Sequence, residues 1–269
     1  MKRTFDRRSA SLQSHMIVTP VIIGINTVVF LLWQLAMRSP GILHFMEANF
    51  IVSGNRLANG MVWTLLTAAF SHYSLLHFAF NMVAAWSFGI ALERLLGPRL
   101  YLSFYLGAAI VSSLSHCILS AFLERGDVGA LGASGAVSAV LLLFALLFPE
   151  VRILIFGIIP IPALVGVLGF IGLDIWGLFA QSQGGGLPIG HGAHLGGALC
   201  GGAMFFLYVR PRLIPIERQV DRPISSLSRE EAAEFERLRL KLTTSGPQAL
   251  TAKEQVFLQE IRQRVLSGN

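Results

Sequence analysis

The stretch Gly132-Ala-Ser-Gly-Ala-Val-Ser-Ala-Val-Leu-Leu-Leu-Phe-Ala-Leu-Leu-Phe148 carries no charged side chain and closes on an unbroken run of apolar residues. Gly132 and Gly135 allow close approach of another chain and a sharp entry into a helix. Five further apolar segments flank it, at about Ile17–Met37, Leu75–Leu95, Arg99–Phe122, Ile153–Asp174 and His191–Val209. A hydrocarbon core of roughly 30 Å takes about 20 helical residues, and lipid tolerates only elements that satisfy their own backbone. The sequence therefore predicts an all-α membrane protein with six transmembrane helices, the fourth at about 134–148. Composition agrees: 54% of residues are hydrophobic and 13% charged, against about 25% charged in soluble domains.

Basic residues set the expected orientation. With the N-terminus inside, Lys2, Arg3, Arg7, Arg8, Arg94, Arg99, Arg152, Arg210, Arg212, Arg218 and Arg222 fall on the cytoplasmic side, while the outer loops keep Arg38, Arg56 and Arg125. This asymmetry predicts N-in and C-in. The formal charge of +6 is concentrated in the tails and implies no nucleic-acid partner. The expected domains are a cytosolic tail at 1–16, a membrane domain at 17–210 and a cytosolic tail at 211–269. In the last of these, Ser228-Arg-Glu-Glu231 and Thr251-Ala-Lys-Glu254 match the Ser/Thr-x-x-Glu capping box, so a charged helical hairpin is expected, broken at Thr243–Gly246–Pro247. Its partner is unspecified. Residues 38–74 include an amphipathic portion near Met61–Phe70, with Trp63 suited to the outer interface, and Ile175–Gly190 reads as a flexible loop. Cys117 and Cys200 lie in apolar runs, with neither zinc-ligand nor redox-pair spacing. Glu93 beside Arg94 suggests an ion pair or anchor, and Asp174 reads as the interfacial end of the fifth span.

Polar residues inside a span are costly and so carry information. In the predicted topology the second, fourth and sixth helices all enter from the outer side. The second begins with His77 and Asn81, one turn apart on one face. The fourth begins with Gly132, Ser134 and Gly135, and the sixth with His191 and His194. Three helices thus deliver polar groups to one depth. Ser134 at a helix start has unpaired backbone N–H groups beside it, which favour an oxyanion. A serine hydroxyl needs a base to take its proton, and His194 is the candidate. His77 and Asn81 are candidate donors to the oxyanion, alongside the Ser134 N–H. No Asp or Glu lies at matching depth on an inward-running helix, so the expected device is a Ser–His dyad. Gly197 and Gly201 form a Gly-x-x-x-Gly pair that would let the sixth helix approach the fourth closely. Taken singly, a membrane serine most often bonds back to its own helix; His15, His44 and His116 read as packing or loop residues, and His72 as a support of the interfacial segment.

At these residues the sequence resembles the rhomboid family of intramembrane serine proteases, over about Trp63 to Arg210. His72-Tyr-Ser-Leu-Leu-His77-Phe-Ala-Phe-Asn81 is similar to its histidine and His-x-x-x-Asn motif. Leu92-Glu-Arg-Leu-Leu-Gly97 resembles the close of the same helix, Gly132-Ala-Ser-Gly135 the Gly-x-Ser-Gly motif, and Ala193-His-Leu-Gly-Gly197 the Ala-His-x-x-Gly motif. The resemblance implies Ser134 as nucleophile, His194 as base, His77 and Asn81 in the oxyanion hole, and no metal or cofactor. Implied partners are the lipid bilayer and single-pass membrane-protein substrates, cut in or near a transmembrane segment. The bacterial inner membrane is the implied location, and a fifth helix with its following loop, about Ile153–Gly190, is the implied lateral opening. The tyrosine that some members carry four residues after the nucleophile is Ser138 here. A catalytically inactive rhomboid-like binding protein and a small transporter are the alternatives. A metalloprotease would want His-Glu-x-x-His and an aspartyl protease two facing aspartates, and the sequence has neither.

Overall fold

Proline and glycine mark several of the helix boundaries. The computed structural model describes residues 16–123, 126–155, 158–187, 189–212, 227–245 and 250–267. Lys2, Arg3, Arg7, Arg8, His15, Arg125, Arg218, Arg222, Gly246 and Pro247 lie outside them. Contacts divide the chain into one unit up to Phe206 and a second from Leu207.

The long helices of the first unit are α1 (Val18–Ala36), α5 (Leu75–Leu96, with a π turn at Ala85–Gly89), α6 (Pro98–Phe122), α8 (Ala163–Ser182) and α9 (His191–Arg212, whose last residues belong to the second unit). These five are long and apolar enough to cross a membrane. The helix α7 (Ser134–Leu147) has 14 residues, about 21 Å at 1.5 Å per residue, so it falls short of a full crossing. Between α1 and α5 the chain forms α2 (Pro40–Phe50), α3 (Gly54–Ala58) and α4 (Thr64–Thr67), followed by a 3₁₀ turn at Ala68–Phe70. Gly97, at φ +79°, ends α5, and Pro98 opens α6 at a position where a missing N–H costs nothing.

The expected fifth span is displaced. Residues expected to open it form an antiparallel hairpin instead, β1 (Arg152–Ile155) and β2 (Ile159–Pro162), with Ile153 opposite Ile161. β-branched isoleucines favour extended backbone, and Pro160 and Pro162 would break a helix there. The helix starts only at Ala163 and absorbs Ile175–Ser182, which had read as loop. Asp174 therefore lies inside a span. It stands eight residues before the end of α8, about 12 Å along the axis.

Two tethers fix the frame. Glu93 on α5 turns to α1 rather than to Arg94: its Oε1 accepts the N–H groups of Ile17 and Val18 at 2.9 Å, and its Oε2 accepts the N–H and hydroxyl of Thr19 at 2.8 Å. A carboxylate is well placed against the positive end of α1. Arg94 Nε lies 2.8 Å from Met16 Sδ. The approach to α7 is held from the side. Val52 and Ala130 form an antiparallel bridge, Gly132 N–H donates to Ala68 O at 2.9 Å, and Asp127 accepts from Ser53 Oγ and Asn55 N–H at 3.0 and 2.9 Å.

In the second unit, α10 (Arg229–Ser245) and α11 (Ala252–Ser267) each start at a reciprocal capping box. Ser228 N–H donates to Glu231 at 2.9 Å and Thr251 N–H to Glu254 at 2.7 Å, and each acid's own N–H returns to the hydroxyl. The α10 helix continues through Thr243 to Ser245, so the expected break does not begin at Thr243.

Candidate active site

Close approach of α9 to α7 creates the site. A Cβ on Gly197 would lie 1.8 Å from Gly135 O, and one on Gly201 would lie 2.5 Å from Ala139 O. Only hydrogen at these positions lets the two backbones meet. The first turn of α9 then faces the first turn of α7, and Ser134 Oγ stands 2.8 Å from His194 Nε2. Gly135 makes the same kind of room for α6, since its Cβ would lie 1.6 Å from Ser112 Oγ.

His194 is supported by a side chain from another helix. The opposite ring nitrogen, Nδ1, lies 2.9 Å from Asp174 Oδ1 on α8. A carboxylate oxygen accepts, so this contact assigns the proton to Nδ1 and leaves Nε2 free to accept from the serine hydroxyl. The expected dyad without an acid is corrected to Ser134–His194 with Asp174 behind the ring. Ser138 is not the support: its hydroxyl donates to Ser134 O at 2.8 Å, bonding back along its own helix. The same Asp174 oxygen also accepts from His191 Nδ1, at 2.7 Å.

Asp174 and its contact with His191 were missed for one reason. Starting the fifth helix at Ile153 left Asp174 at its end. The signal was Pro160 and Pro162, because a helix that begins after them makes Asp174 a mid-span carboxylate, which demands a partner. His191 and His194, three apart on one helix face, supply it.

On the other side of Ser134, Gly132 adopts φ +130°, a region that favours glycine. A Cβ there would lie 2.6 Å from His77 Cε1, 3.1 Å from His77 Nε2 and 3.6 Å from Ser134 Oγ. The missing side chain thus leaves open a space bordered by the His77 ring on one side and the Ser134 hydroxyl on the other. Asn81, one turn along α5, is buried and donates one amide N–H to His77 O at 2.9 Å, so an oxyanion would take its second N–H. His72, fully buried, packs edge-on against His77 with ring centroids 4.9 Å apart. Its Nε2 accepts Ala133 N–H at 3.3 Å, which braces the turn into α7. Burial, and after it the neighbouring His77, pushes the His72 pKa down to about 3, so it stays neutral and can accept. His116 Nε2 meets Val128 O at 3.0 Å and holds the same loop.

Among the described residues, Asp174, His191 and His194 form a group that could hold a metal ion, with ligand atoms within 4.8 Å of one another. Their 2.7 and 2.9 Å contacts are hydrogen-bond lengths, shorter than the separation of about 3.3 Å between tetrahedral ligands around zinc. The arrangement fits a hydrogen-bonded chain ending on a nucleophile, which is acyl-transfer chemistry.

Residues 59–211 match the Rhomboid domain. The chain belongs to the rhomboid family. It is 32% identical over 194 residues to RHOMBOID-like protein 12, mitochondrial, of Arabidopsis thaliana, covering 66% of this chain and 55% of the relative. It is 32% identical over 217 residues to Rhomboid protein 1, mitochondrial, of Saccharomyces cerevisiae, covering 77% and 57%. It is also 32% identical over 186 residues to the human presenilin-associated rhomboid-like protein, mitochondrial, covering 67% and 45%. The chain spans about half the length of the curated relatives it matches. The rhomboid domain contains Ser134, His194, His77, Asn81 and Asp174, and its apolar helices make this an integral membrane protein. The relatives' names are mitochondrial, so they lend nothing to the expected bacterial inner membrane.

Proposed function

We propose that this rhomboid is an intramembrane serine endopeptidase. The carrying observation is the 2.8 Å contact of Ser134 Oγ with His194 Nε2, backed by Asp174 at 2.9 Å. His194 takes the serine proton as Oγ attacks the scissile carbonyl. The tetrahedral oxyanion is met by Ser134 N–H, His77 and Asn81. His194 then returns the proton to the leaving amine, and water, deprotonated by the same ring, clears the acyl-enzyme. Asp174 keeps the proton on Nδ1 and offsets the charge that forms on the ring.

The substrates we assign are single-pass membrane proteins, cut in or near a transmembrane segment at small and helix-breaking residues. Such segments expose backbone that a regular helix hides. The proposed membrane is the bacterial cytoplasmic one, with both termini inside as the basic residues favour. Cell fractionation and tagging of each terminus check both points.

The deciding experiment uses purified protein in liposomes with a single-pass reporter whose transmembrane segment contains Gly and Pro. Ser134→Ala and His194→Ala should each abolish cleavage while circular dichroism stays unchanged. Cleavage retained in either variant overturns the assignment, and a folded wild type that leaves the reporter intact favours the inactive, binding-only alternative.

A further inference from the structure

Resting on the protease reading, we propose that His191 is a positioning residue for catalysis, acting through Asp174. Oδ1 of Asp174 is shared between two donors, His191 Nδ1 at 2.7 Å and His194 Nδ1 at 2.9 Å. The two rings stand nearly perpendicular, at 86°, with centroids 6.4 Å apart. They therefore hold the oxygen from different directions. The terminal torsion of an aspartate is broad, and with His194 as its sole donor the carboxylate could swing with that ring instead of fixing it. A second donor removes the freedom.

His191 is itself held. Its ring lies over Gly177, one turn beyond Asp174 on α8, where a Cβ would fall 2.2 Å from Nε2 and 2.6 Å from Cδ2. Both the hydrogen bond and the notch belong to α8, whose outer face is exposed at Leu173, Ile175, Trp176 and Phe179. Gln181, on the same inward face of α8, donates to Leu187 O at 2.7 Å and Ile189 O at 2.8 Å, which fixes the chain leading into His191. Asp174, Gly177 and Gln181 thus form a polar clasp from α8 onto the start of α9. Through it, the seating of a peripheral helix sets the orientation of the base.

A purely packing role for His191 makes the opposite forecast to a donor role. His191→Phe keeps a ring in the Gly177 notch and removes the donor. His191→Asn leaves part of the notch empty but places an amide N–H about where Nδ1 sits. With the liposome reporter, His191→Phe should lower kcat about 10–10²-fold with KM little changed, a loss of the size expected from misplacing a reacting group. His191→Asn should stay within about threefold of wild type. Labelling of Ser134 by a fluorophosphonate should slow in His191→Phe in parallel, and in an Asp174→Asn background His191→Phe should cost nothing further. Thermal unfolding in detergent controls for folding. Wild-type kcat in His191→Phe, or an equal loss in both variants, overturns the proposal. Neither result touches the protease reading, which fails separately if Ser134→Ala still cleaves.

Discussion

Asp174 changes what His194 can do. Without an acceptor at Nδ1 the imidazole is free to carry its proton on either nitrogen, and half of that choice is useless to a base facing Ser134. With Asp174 2.9 Å away, the tautomer is fixed and the imidazolium that the proposed attack would form meets a compensating charge. Replacing the carboxylate by a neutral amide of the same shape should therefore act on the rate rather than on binding. Asp174→Asn is expected to lower kcat by at least about 10²-fold with KM nearly constant, and steady-state kinetics with the liposome reporter measures the split. A loss confined to KM would mean that Asp174 serves substrate binding. Asn81 is a different case. One of its amide N–H groups is already committed to His77 O, so its value lies in the second. Asn81→Ala should cost about 10²–10³-fold in kcat, as for other oxyanion donors, and an unchanged rate removes it from that role.

Among the elements, the pair α7 and α9 sets the geometry on which those residues depend. Gly197 and Gly201 sit against Gly135 O and Ala139 O with no space for a methyl group. Gly197→Ala should push α9 outward by the width of that methyl, lengthen the Ser134–His194 contact and depress kcat by about 10²-fold or more. Gly201→Ala, with a less severe clash at 2.5 Å, should do the same more weakly. Kinetics together with fluorophosphonate labelling of each variant reads the ranking, and equal activity in both would show that the helices can separate without cost. This contact was legible in the sequence because small residues spaced four apart mean close approach wherever they occur in a span. The motifs around His77, Asn81, Ser134 and His194 were legible for a related reason: polar residues in lipid have few bland explanations. The fifth helix was not. Along Ile153–Asp174 hydropathy alone does not separate an isoleucine-rich hairpin from a helix, and the register error of ten residues hid the carboxylate that completes the site. The two prolines held the answer, and hydropathy outweighed them.

At the scale of the whole molecule, three helices that start at one end of the bundle bring their first turns together, and a fourth brings a carboxylate about 12 Å in from its own end. The helix α7, at 14 residues, is too short to reach both faces of a core of about 30 Å, so a site at its first turn would lie below the surface where its last turn reaches the opposite face. Every group in the proposed chemistry lies between His72 and His194, inside the unit that ends at Phe206. Among its described residues, the second unit pairs charges across its two helices. Glu254 pairs with Lys241 and Arg237 at 2.9 Å, and its carboxyl is held down at about 2, first by the Thr251 backbone N–H and then by Lys241. Leu238 and Ile261 are buried. No group in the proposed chemistry belongs to the second unit, so the tail should be separable from the chemistry. A protein that stops after Arg212 is expected to cleave the liposome reporter with kcat and KM within about twofold of the full chain, per mole of protein that labels with fluorophosphonate. Normalising to labelled serine keeps a loss of yield from counting as a loss of activity. A tenfold fall in kcat at equal labelling would mean that residues 213–269 act on turnover, and would make the hairpin part of the enzyme rather than an appendage to it.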